Sequence, residues 1–154
     1  MTSITGNART FDGDTTSVHD EARNPLLARS FDAQGNEYIY LQGVASTVAG
    51  DFVTFDEAGV TTRTVADAVG RVAVAMAATV ASTYGWYQIY GKNVTANGAN
   101  ITADAAIYLS ATAGRADGTL VVGDTIIGAI ARTTDTGNAF TVELNYPQAL
   151  NVAV

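Results

Sequence analysis

Ser17-Val18-His19-Asp20-Glu21 places a hydroxyl, the chain's single imidazole and two carboxylates side by side. These are the parts of a nucleophilic triad, in which the imidazole takes the hydroxyl proton and an acid orients the ring. Such a triad works when its members converge from separate elements onto a rigid pocket. Here they are sequence neighbours on a polar segment, and the arrangement predicts a solvated arm with no catalytic residue. Asp12-Gly13-Asp14, with Asp20, opens like a calcium loop. The pattern then fails, because Ser17 stands where the loop needs glycine and Arg23 where it needs a bidentate glutamate. An ordinary Asp/Gly turn without a metal is expected, and a cation held between subunits would need acids from several chains. Gly114, Gly118 and Gly123 precede neither a Lys-Ser/Thr pair nor a helix, so they predict turns and no phosphate cradle or cofactor.

Asn93-Val94-Thr95 and Asn100-Ile101-Thr102 fit the glycosylation acceptor pattern. The opening MTSITGNART has no basic region and no apolar run, so a secretory leader is not expected and these read as polar loop residues. The densest aromatic set is Tyr84, Trp86, Tyr87 and Tyr90. Alternating rings on a strand can stack on a sugar or a base, but filling a barrel core and a subunit contact is the favoured reading.

The elements that would carry these residues are strands. Arg71 to Gly91 organises the chain: Val72, Val74 and Met76 alternate with Ala73, Ala75 and Ala77, as one crowded and one close-packed strand face would. A second strand runs from Tyr84 to Tyr90. Val65, Val69, Val72, Met76 and Val80 also fit a helical stripe. Gly70 and the recurring β-branched residues favour strand from Arg71, which is compatible with a short helical turn over 65–69. Further strands are expected at 37–44, 51–55 and 60–65. Leu120-Val121-Val122 leads into TIIGAIART, where Gly128 marks a bulge or a close backbone approach. A final hairpin turns at Asp135–Asn138 and returns with Phe140, Val142 and Leu144 on one face. KNVTANGAN at 92–100 reads as a polar connection, and 111–119 as a long loop.

Many short strands between turn signals predict an all-β chain: a small β-barrel or sandwich of mainly antiparallel strands at 36–154, behind an extended arm at 1–35. The arm is polar and lacks periodicity, with one apolar island at Pro25-Leu26-Leu27. At 154 residues the chain can bury about 70% of its unfolded surface. It has no cysteine, so its stability comes from packing or oligomerisation. With 8 Lys and Arg against 15 Asp and Glu the net charge is -7, and the arginines are scattered, which disfavours nucleic acid as a partner. No apolar run is long enough to span a bilayer.

The series GNEYIYLQGVAST at 35–47, GDFVTFDEAGVTTR at 50–63, VAVAMAATVAS at 72–82, YGWYQIYG at 84–91, AIYLSATAGRADGT at 106–119 and GDTIIGAIA at 123–131 resembles the small decoration (cement) proteins of tailed-bacteriophage capsids. The resemblance implies a barrel-like domain that assembles as a trimer or similar cluster on the outer surface of the head. There it would bridge major capsid protein subunits and stiffen the shell. It carries over no catalytic motif. On this expectation the arm, with Arg23, Pro25, Leu26, Leu27 and Phe31, docks on the capsid, while Val72, Val74, Met76, Trp86, Tyr87 and Tyr90 serve the core and self-association. The rival expectation is a glycan-binding β-module of a phage tail or adhesin, resting on the aromatic strand at 84–90.

Overall fold

A computed structural model describes residues 14–151, so Asp12, Gly13 and the rest of the arm before Asp14 lie outside the described residues. Every regular element among the described residues is a strand: β1 (Arg29–Phe31), β2 (Glu37–Gln42), β3 (Phe52–Phe55), β4 (Thr61–Arg63), β5 (Gly70–Ala75), β6 (Tyr84–Ala99), β7 (Ala106–Leu109), β8 (Ala116–Asp117), β9 (Thr125–Ala131) and β10 (Ala139–Leu150). The all-β expectation holds. All strand pairs are antiparallel except β6 with β8.

The pairings close on themselves. From β6 the hydrogen-bonded order runs through β8, β7, β9 and β10 and returns to β6, a closed five-strand barrel. Its interior holds Val94 and Ala96 of β6, Ile107 and Leu109 of β7, Ile126 and Ala131 of β9, and Phe140, Val142 and Leu144 of β10. A second ring lies beside it: β2, β6, β5, β3 and β4 pair in that order, and Gln42 bridges Val60 to bring β4 back to β2. Ile39, Leu41, Val53, Phe55, Tyr87 and Ile89 fill this ring.

β5 is the wall between the two cores. Its C-terminal end pairs with β6 and its N-terminal end with β10, so it occupies the gap where those two strands part. The large/small parity read from the sequence falls on the two sides: Val72 and Val74 enter the first core, Ala73 and Ala75 the second. The strand ends at Ala75, short of Met76, which is only partly buried and packs against the edges of two clusters. No helical turn forms at 65–69; Ala68 N donates to Val65 O in a simple turn.

Three expectations change. The stretch at 92–100 is not a connection but the second half of β6, whose sixteen residues serve both rings. Its small and polar residues still alternate, with Val94, Ala96 and Gly98 buried and Thr95, Asn97 and Ala99 more exposed. The loop at 111–119 contains the short strand β8, and Leu120-Val121-Val122, which leads toward β9 as expected, lies exposed on a turn closed by Asp124 N on Val121 O. The arm boundary at 35 falls within a hairpin, because β1 pairs with β2 through Arg29↔Ile39, Ser30↔Tyr38 and Phe31↔Glu37.

Candidate functional site

The residues expected to dock outward divide into two groups. Leu26 and Leu27 are partly buried against the chain's own clusters, Leu26 beside Tyr38, Tyr40 and Trp86, and Leu27 against the second ring. The backbone fixes them there: Leu27 N donates to Tyr40 O, and Tyr40 N to Ala28 O. Arg23 and Pro25 remain exposed, and Phe31, on the outer strand β1, is 56% exposed. The apolar island thus meets the domain that follows it, because an apolar tripeptide lowers its free energy on the nearest open apolar face.

His19 is tied to the same face and is not part of a solvated arm. It forms an antiparallel bridge with Tyr84, and its Nδ1 lies 3.0 Å from Tyr40 Oη. Ser17 Oγ donates instead to Asp14 Oδ2 at 3.2 Å, so hydroxyl and imidazole do not meet. Among the described residues no three His, Cys, Asp or Glu side chains gather as a metal site.

Of the residues assigned to core and self-association, Val72, Val74, Tyr87 and Trp86 are core. Trp86 is 8% exposed and lies 5.0 Å from Tyr40, ring to ring. Its ring is taken up by the cluster it forms with Tyr38 and Tyr40, against which Tyr84 packs. Only Tyr90, at the end of the run, is open to solvent.

Two surface features emerge that the sequence did not single out. The first is an apolar cluster on two loops. Val65 and Val69 precede β5, and Leu120, Val121 and Val122 precede β9; all five are exposed. The loops are tied together: Asp67 N donates to Asp124 Oδ1 at 2.6 Å, and Asn151 Nδ2 reaches Asp67 Oδ1 at 3.4 Å. Asp124 is itself buried, so the link is a fixed one. Both loops read in sequence as strand margins, and only tertiary placement reveals that their apolar side chains have nothing to cover.

The second is a cleft of about 510 Å³ lined by Gln34, Gly35, Asn36, Tyr90, Gly91, Lys92, Glu143, Leu144 and Asn145. Three irregularities build it. The β1–β2 turn is locked by Asp32, whose carboxylate accepts from Gln34 N, Asn36 N, Asn36 Nδ2 and Tyr38 Oη, all at 2.8–2.9 Å. Burial pushes that carboxyl up, but the hydrogen bonds from Asn36, Tyr38 and Gln34 outweigh it and hold its pKa below the ordinary value. Burial, followed by the Asp32 hydrogen bond, pushes the Tyr38 phenol up to about 12. Asn36 Oδ1 then accepts from Lys92 N at 3.0 Å, at a bulge of β6. A Cβ at Gly91, where φ is +109°, would stand 2.0 Å from that Oδ1, so this approach requires glycine.

The third irregularity is in β10, which carries two more residues than β9 between Leu144↔Ala129 and Gln148↔Ile127. Gly128 admits the bulge by coming within reach of Asn145 O. At its centre Tyr146 adopts φ +46°, an uncommon conformation for a bulky residue. Its Oη donates to Oε2 of buried Glu37 at 2.5 Å, and Arg29 Nη1 pairs with Glu37 Oε1 at 3.1 Å. The Glu37 hydrogen bond, aided by burial, raises the Tyr146 pKa. Its ring packs on Tyr90 at 5.2 Å, tilted by 32°. The sequence signal for this site was Asn145-Tyr146-Pro147, since proline within a strand marks an edge or a bulge.

The fold and these surfaces define an all-β double-ring domain with an apolar loop end and a polar cleft. No family model, curated protein or solved structure matches the chain.

Proposed function

We propose that this chain is a structural virion protein that binds the outer surface of a bacteriophage capsid and stabilises the shell by bridging major capsid protein subunits. The observation that carries the reading is the apolar loop end: Leu120, Val121 and Val122 are 60%, 50% and 64% exposed and Val69 64%, on loops tied to a closed barrel. Contiguous exposed apolar residues on a rigid frame suit protein contact. The resemblance of its segments to decoration proteins supports a capsid partner, and the net charge of -7 suits a protein kept off packaged DNA. A trimer or similar cluster would present several such ends at once, so weak contacts add up to firm attachment.

The experiment is co-sedimentation of the purified chain with expanded heads that lack it. The native protein should pellet with the heads, whereas Leu120→Asp/Val122→Asp should stay in the supernatant while keeping the native Tm. Equal pelleting of the two proteins would rule out this surface. Failure of the native protein to pellet would rule out the function.

A further inference from the structure

We infer that the cleft between the β1–β2 turn and the bulges of β6 and β10 is a saccharide-binding site, with Tyr90, backed by Tyr146, as its stacking face and an uncharged pyranose ring as its ligand. The inference is independent of capsid attachment and uses a different surface.

A sugar ring is bound by an exposed, immobile aromatic face with hydrogen-bonding groups at its rim. Tyr90 and Tyr146 are 40% and 47% exposed and pack on each other, while Tyr38 and Tyr40 of β2 and Tyr87 of β6 are buried. Tyr146 is held at both ends: its hydroxyl is bonded to buried Glu37, and its backbone is fixed in a strained bulge. Tyr146, with Arg29 over its ring, thereby buttresses the Tyr90 ring that lines the cleft, and Tyr90 has little conformational freedom left to lose on binding.

The rim supplies what hydroxyl groups need. Among the described residues the side chains of Gln34, Lys92 and Asn145 make no hydrogen bond or ion pair, although all three line the cleft. Glu143 uses one carboxylate oxygen on Arg132 Nε and has the other to offer. Donors and acceptors are thus mixed, as vicinal hydroxyls require. One lysine beside one glutamate, on a chain of charge -7, does not favour a polyanion, and the polar lining does not favour an apolar ligand. The volume lies within the roughly 300–1,000 Å³ of small-molecule sites. A neighbouring cleft of about 480 Å³ shares Gln34, Asn36 and Lys92, leaving room for the next sugar of a chain.

Saturation-transfer NMR on the full chain tests this, with the methyl glycosides of glucose, galactose, mannose and N-acetylglucosamine as probes and open-chain sorbitol as control. At least one glycoside should receive saturation at its ring protons, and sorbitol should not. Tyr90→Ala, and separately Lys92→Met/Asn145→Ala, should weaken that binding about tenfold. The second variant alters exposed side chains outside the core and keeps the test decisive if the first fails to fold. No transfer to any glycoside, equal transfer to sorbitol, or unchanged binding in the folded variants would overturn the inference.

Discussion

Asp51 is 1% exposed, and its carboxylate is fully used: Oδ2 accepts from Arg63 Nε at 2.8 Å and Val48 N at 3.1 Å, and Oδ1 from Asn97 Nδ2 at 2.9 Å. One buried acid thereby ties the entrance of β3 to β4 and β6. Removing one member of such a pair strands its partners, so Asp51→Ala should lose about 3–5 kcal/mol in urea unfolding. A loss no larger than that of a surface substitution would show that the network is slack. Asp32 acts through pH. Its folded pKa is depressed, so its stabilising effect is present above the unfolded value and is lost as pH falls through the folded one. The urea midpoint of the native chain should therefore drop on acidification below about pH 4, and that of Asp32→Asn should drop less. Parallel titrations would mean that the turn contributes nothing.

At the scale of elements, β5 is the decisive strand because two cores share it. Ala73 is fully buried opposite the valine face, so Ala73→Leu should overpack the second ring and cost about 1–3 kcal/mol by thermal or chemical unfolding. This is also where sequence reading worked best. Large/small alternation over 72–75 is a direct image of two differently crowded cores, and the alternation of Phe140, Val142 and Leu144 is an image of one. Reading failed where tertiary contact overrode composition. KNVTANGA carries polar and glycine residues that usually mark a loop, yet β6 continues through it and pairs with β10 as far as Asn97, because the barrel needs a wall that Gly98 makes thin enough to pack against Phe140. The LVV run at 120–122 carries strand-forming residues and forms none, since no neighbouring strand edge reaches it. The cleft was illegible for a different reason: Asn36, Tyr90 and Tyr146 are brought together only by three bulged or turned segments far apart in the chain.

For the molecule as a whole, residues 14–36 belong to the fold and not to an extended arm, and this changes what a truncation should do. A deletion of residues 2–13, which stops short of the first described residue, serves as the reference. Deleting 2–28 uncovers Tyr40 and Trp86 and removes Leu26 and Leu27, and should cost about 2–4 kcal/mol. Equal Tm values for the two deletions would show that the segment does not pack. Among the described residues the apolar loop end and the Tyr90 cleft are two surfaces open to partners. The central claim concerns the first of these. Cryo-electron microscopy of the intact particle tests it most directly: the account predicts density for this chain outside the shell, over junctions between capsid subunits, with residues 120–122 turned toward them. Density for the chain in the tail, or its absence from the particle, would contradict the account.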